Sequence, residues 1–227
     1  MLRLLSLTAL AAVIAFAASA TTQSGTAPTA LAQAVATTAA AKIDYAFDYE
    51  VAAGERQWQA RFDPSANPRL RLLSPAPQTL SEDERRAFTR IAEQMEGVAW
   101  CAGERMANAT DVRLVSETAE TSTYAFQPTR EMIRGEQARR YADRLRGEFT
   151  LLKADPDISR FRIYLPQAFS PLPLVNVERF NVVVTCAVAP NGRRFAAETV
   201  SDVSGSAFGS AFNERSVQRM RNLAAAP

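Results

Sequence analysis

From Lys42 onward, large apolar side chains fall at every second position. Ile43, Tyr45, Phe47 and Tyr49 alternate with Asp44, Ala46, Asp48 and Glu50, the period that places one set of side chains on each face of a β-strand. Ala52-Ala53-Gly54-Glu55 forms a turn, and residues 57–62 continue as a second strand that Asp63-Pro64 ends, because proline brings no N–H to a ladder. Asn67-Pro68 opens another turn before Leu70, Leu72 and Leu73, so the chain predicts a β-meander at its start.

The period changes at Ser81. Ser81-Glu82-Asp83-Glu84 is a capping box with its acidic residues on the positive end of the helix dipole. Phe88, Ile91, Ala92, Met95 and Ala99 then recur at spacings of three and four, predicting a helix over residues 82–96 with one core-facing stripe. Residues 130–146 hold a second amphipathic pattern: Met132, Ile133, Ala138, Tyr141, Ala142 and Leu145 share one face opposite a set of arginines. A basic helix lying on an anionic membrane is one reading, but the modest apolar face, broken by Gly135, predicts a solvated surface helix. Strand patterns fill the rest, at residues 112–115, 121–126, 148–152, 158–165, 181–189 and 193–203. Asn191-Gly192, whose residues both tolerate positive φ, joins the last two as a hairpin. Ala207, Phe208, Ala211 and Phe212 read as a final strand. These elements predict an α+β domain over residues 42–215, with a curved, mostly antiparallel sheet, followed by a polar tail at 216–227.

The two ends of that domain differ in character. Residues 1–20 carry Arg3, an apolar run over 4–17 and the triplet Ala18-Ser19-Ala20, the pattern of a secretory signal cut after Ala20. The run is shorter than a spanning helix needs, and no later segment is apolar for long enough, so the mature chain is expected to be periplasmic or secreted without a transmembrane span. Residues 21–41 are uncharged and rich in Ala and Thr, which predicts a low-complexity tether, with a short Ala-rich helix from Leu31, marginal in isolation, as its one candidate element. Export also bears on Cys101 and Cys186, the two cysteines of the chain. An oxidising compartment lets them persist as a disulfide, closing a loop for which chain-entropy estimates give roughly 4 to 5 kcal/mol. Two buried thiols, or one reactive thiol, are the alternatives.

Composition narrows the chemistry. Of 227 residues, none is His, which removes the commonest general base, the imidazole partner of Ser or Cys nucleophiles, and the usual imidazole metal ligands. The 26 basic and 24 acidic residues are interspersed, so no basic stripe suggests nucleic acid. Glu82, Asp83 and Glu84 are explained by helix capping, Asp155-Pro156-Asp157 by a turn, and the Gly205–Ser210 stretch lacks the nucleophile-elbow spacing. No phosphate-binding glycine loop is present. The expectation is a non-enzymatic protein with no metal site and no cofactor.

One segment is chemically out of place. Phe169-Ser170-Pro171-Leu172-Pro173-Leu174-Val175 combines prolines that interrupt regular structure with large apolar side chains. Two readings stand: the loop packs across an open sheet end, or Phe169, Leu172 and Leu174 line the mouth of an apolar pocket. The order of elements, a strand pair from Ile43 to Phe62, an inserted helix, then antiparallel strands to the Asn191-Gly192 hairpin and Phe212, resembles the superfamily of the periplasmic lipoprotein carrier and its outer-membrane acceptor. Gly147-Glu148-Phe149-Thr150-Leu151 and the Pro171/Pro173 loop also resemble exported proteins of Gram-negative bacteria. The resemblance implies a half-open barrel whose apolar concave face holds a lipid or a lipoprotein acyl chain. The charged segment 130–146 and the cysteines depart from it. An envelope protein that docks to a partner, with a filled core and no small ligand, is the alternative.

Overall fold

A computed structural model describes residues 28–133 and 136–226; the expected signal at 1–20 and the start of the expected tether, 21–27, lie outside the described residues. The alternating residues around Lys42 form β1 (Tyr45–Ala53), which buries Tyr45, Phe47 and Tyr49, and β2 (Arg56–Phe62), which buries Trp58, Ala60 and Phe62 on the same side. After β3 (Leu70–Ser74) the capping box opens α2 (Glu82–Gln94): the Glu84 amide donates to Ser81 Oγ, and the Ser81 amide donates to the Glu84 carboxylate. The remaining strands are β4 (Thr110–Glu117), β5 (Thr121–Gln127), β6 (Arg146–Leu152), β7 (Ile158–Tyr164), β8 (Phe169–Leu172), β9 (Val175–Val188), β10 (Arg194–Ala207) and β11 (Ser210–Ala225).

All the strands join one antiparallel sheet in the order β3-β2-β1-β11-β10-β9-β7-β6-β5-β4, with β8 paired to β9. The sheet is curved and does not close, as the α+β expectation requires. Its two faces differ sharply. Directly opposed residues share a face, and the row Ser116, Thr123, Thr150, Arg160, Thr185, Glu198, Arg219, Glu50, Gln59 crosses nine strands with no apolar member. The parallel row on the other face runs Tyr124, Phe149, Phe161, Val184, Thr199, Gln218, Val51, Trp58. It is apolar at both ends and polar in the middle, so the covered face holds separate cores. One packs Phe126, Phe149, Leu151, Ile158 and Val184 under Leu31, Ala34 and Met106. The others pack Phe47, Phe62 and Trp58 under Phe88, Ile91 and Met95.

The 35 residues between β3 and β4 join one edge of the sheet to the other. They are fastened midway: Trp100 bridges Phe195, the Cys101 amide donates to the Arg194 carbonyl at 3.0 Å, and the Ala196 amide donates to the Ala99 carbonyl at 2.8 Å. At that point Cys101 and Cys186 form the expected disulfide, from the crossing segment to β9. The edges themselves are blunted. β3 has five residues and lies between Pro68 and Pro75, while β4 has two register breaks and a left-handed Asp111, devices that discourage pairing with another chain.

Several expectations are corrected. Residues 29–40 are no tether but a helix, α1 (Thr29–Ala40), with Leu31, Ala34 and Thr38 buried. Such a segment is marginal alone; its small alanines let it lie close to the sheet, where Leu31 enters the larger core. The polar tail expected at 216–227 is strand β11, hydrogen-bonded to β1 from Ser216 to Ala225. Its arginines face the polar side, Arg219 pairing with Glu198 at 2.7 Å, while Met220 and Leu223 pack on the core. The helix expected over 130–146 is broken into a 3-10 turn (Arg130–Met132), the four-residue α3 (Glu136–Arg139) and another turn (Ala142–Arg144), because Ile133, Ala142 and Leu145 each reach down to the sheet.

Two measurements follow. Leu31→Ala is expected to cost 2–5 kcal/mol in urea unfolding, the range for a fully buried leucine; an unchanged midpoint would remove α1 from the core. Asp48 accepts from Asn222 Nδ2 at 2.6 Å and from Arg61 at 2.9 Å, and those bonds, Asn222 first, hold its carboxyl below the usual range. A lowered folded value contributes stability above about pH 4 that is lost as pH falls through it. The wild type is therefore expected to lose stability on acidification more steeply than Asp48→Asn, read from urea midpoints between neutrality and pH 3 (about one unit below the ordinary carboxylate value).

Candidate functional site

The long strands leave their neighbours behind. β7 pairs with β9 only between Thr185 and Asn181, and β1 pairs with β11 only as far as Ser216, yet β9, β10 and β11 stay paired to Val175, Ala207 and Ser210. With β8 they form a tongue that projects six residues beyond the sheet, roughly 20 Å at the usual rise per residue. Its root is held from below: Phe180 packs with Ile133, Ala142 and Leu145, and the Phe169 ring lies 5.0 Å from Tyr141.

Two tight turns end the tongue. The β8–β9 hairpin turns through Pro173-Leu174, with Leu174 at φ 65°, a proline followed by a left-handed residue as in a type II turn. The β10–β11 hairpin turns through Phe208-Gly209, both at positive φ, between the paired residues Ala207 and Ser210, the two-residue geometry that favours Asn-Gly. The turns abut, since the Phe208 amide donates to the Leu174 carbonyl at 2.8 Å. Leu172 is 61% exposed, Leu174 74% and Phe208 78%. No charged residue occurs in 163–177 or 203–213.

Phe169, Leu172 and Leu174 therefore part company. Phe169 is half-buried against Tyr141, whereas Leu172 and Leu174 point out and are joined by Phe208. The segment is also regular where irregularity was expected, because β8 is the outer strand of the tongue, where a proline costs no ladder bond. Phe208 escaped the sequence reading because Ala207-Phe208-Gly209-Ser210-Ala211-Phe212 was placed within one strand; Gly209, directly after an aromatic between small residues, is the turn signal that it contains.

Elsewhere the described residues offer less. A concavity of about 590 Å³ on the polar face is lined by Asp111, Arg113, Gln127, Arg146 and Tyr164, and another of about 500 Å³ by Ile43, Asp44, Pro64 and Ala225. Phe169, Leu172 and Leu174 line neither. In the first, Arg146 already donates to Gln127 Oε1 and to the Asp143 and Leu145 carbonyls, and Tyr164 donates to Glu148 while Arg162 lies over its ring. A buried ion pair joins Arg193 to Asp157 at 3.0 Å, and Arg193 also reaches the exposed Asp155 at 3.2 Å. The Asp157 carboxylate also accepts from the Ile158 and Arg194 amides. Burial pushes its carboxyl up against the pull of Arg193. Arg193 Nε is buried without a hydrogen-bond partner, but both terminal guanidinium nitrogens and the Asp157 carboxylate are engaged, and the pair reads as structural, tying the β6–β7 turn to the β9–β10 turn. Among the described residues no group of three or more Cys, Asp or Glu is placed to hold a metal ion. No protein-family model, curated protein or solved structure matches this chain.

A left-handed backbone costs a residue with a Cβ roughly 1–2 kcal/mol, and asparagine tolerates it best. Leu174→Asn and Phe208→Asn are each expected to stabilise the fold by about 1 kcal/mol, seen as a higher thermal midpoint. A lower midpoint for either would mean that the side chain is held by the tongue rather than presented by it.

Proposed function

We propose that this chain is a non-enzymatic module of the cell envelope that docks to an apolar surface through the tip of its tongue. One observation carries the reading: Leu174 and Phe208, large and apolar, occupy left-handed turn positions and are about three-quarters exposed. Backbone preference and solvent both disfavour that choice, and rules broken together at one place mark a functional site. The export signature at 1–20 and the Cys101–Cys186 bond support an oxidising compartment. Docking is favoured over carriage of an acyl chain because the space under the sheet is taken up by the chain's own side chains, Leu31, Phe126 and Phe149 at one end and Phe47, Phe62 and Met95 at the other.

Burying three such side chains gives about 1.5–3 kcal/mol each, much of it offset by lost freedom on association. The contact is accordingly weak and reversible. Phe208→p-benzoylphenylalanine, expressed with the natural leader and irradiated in intact cells, is expected to form an adduct, to lipid or to protein, that the same photoreactive residue at exposed Leu114 does not form. Equal adducts at both positions, or none at 208, would end the reading.

A further inference from the structure

We infer that the surface the tip enters is the hydrocarbon boundary of a lipid bilayer; the inference rests on the docking reading above. Shape is the first reason. The exposed apolar side chains stand on two abutting turns at the convex end of a projecting tongue, and a fluid bilayer accepts a wedge without a preformed cavity.

Depth and charge are the second. From Leu174 the first charged residue along β9 is Glu178, and from Phe208 the first along β10 and β11 are Asp202 and Glu214. At about 3.3 Å per residue the uncharged zone is therefore at least roughly 13 Å deep, enough to reach past the headgroups to the acyl boundary, where interfacial segments lie about 5–10 Å in. Behind that zone stand Glu178, Arg179, Asp202, Glu214 and Arg215, with Arg215 and Asp202 paired at 3.3 Å. Two cations among three anions give no net attraction to an anionic membrane, so apolar burial is what drives insertion.

The backbone is the third. Hydrocarbon penalises an unpaired N–H. Pro171 brings none to the outer strand β8 and Pro173 none to the turn that follows it, and the Phe208 amide is satisfied by the Leu174 carbonyl. Along β11 the edge beyond Ser216 has lost β1 as its partner, which limits entry to the turns themselves. The tip is built to dip into a membrane, not to cross it.

The test uses the purified, disulfide-bonded chain and vesicles of phosphatidylcholine alone or with added phosphatidylglycerol. The wild type is expected to float with both kinds to within twofold, and equally at low and high salt. The double variant Leu174→Asn, Phe208→Asn should lose binding at least about tenfold while keeping its near-ultraviolet circular dichroism. In Phe208→Trp, the new indole should be quenched by bromine placed on the upper acyl carbons. Absence of flotation, flotation confined to anionic vesicles and abolished by salt, or bound Phe208→Trp that bromine does not quench would each overturn the bilayer assignment. Should vesicles fail while Phe208→p-benzoylphenylalanine joins a protein in cells, the bilayer assignment falls and docking stands; should both fail, both fall.

Discussion

A segment that crosses from one edge of an eleven-stranded sheet to the other is the constraint on which everything else depends. The covered face cannot hold itself together by apolar contact alone, because Thr199 and Gln218 stand in the middle of its central row. The cores at its ends are joined by the β10–β11 ladder, by Trp100, which bridges Phe195 and meets Tyr45 edge-on, and by the Cys101–Cys186 bond. Closing a loop of this length removes several kcal/mol of unfolded-chain entropy, about as much as a small domain's margin. Fastened there, the crossing segment carries α2 to one core and Met106 and Ala109 to the other. The tongue follows, since β9 and β10, pinned at the bridge, extend beyond their neighbours.

What was legible in the sequence was whatever depended on a short repeat. Tyr45, Phe47 and Tyr49 alternate because one face of β1 is buried, and Ser81 to Glu84 form a capping box that needs no tertiary context. The antiparallel α+β class rested on patterns of the same kind, and the cysteine pair on an export-like leader ahead of two cysteines. The place of residues 29–40 in the core, and the strand at 216–225, escaped because their stability is borrowed. An Ala-rich helix with one leucine has too little apolar surface to announce itself, and β11 shows arginines on a strand whose partners, Glu50 and Glu198, are remote in sequence.

The tip divides along the same line. Phe169 to Val175 stood out because prolines that interrupt regular structure conflict with large apolar side chains, a contradiction visible within seven residues. Phe208 conflicts with nothing local, since an aromatic between small residues suits a strand. Its partnership with Leu174 comes from the hairpin pairing of β9 with β10, which carries two turns distant in sequence to one place. The segment 130–146 shows the converse: a clear helical stripe gave way to two 3-10 turns and one short helix, because the sheet offered Ile133, Ala142 and Leu145 separate seats.

The pairing of β1 with β11 also sets a reach. Tyr45 lies beside Ala225, so the described chain enters and leaves the sheet at one end of β11, while Ser210 and the tip stand at the other. Sixteen residues separate those ends, about 50 Å of nearly inextensible strand. The points where the chain enters and leaves the sheet are thereby held a fixed distance from the tip.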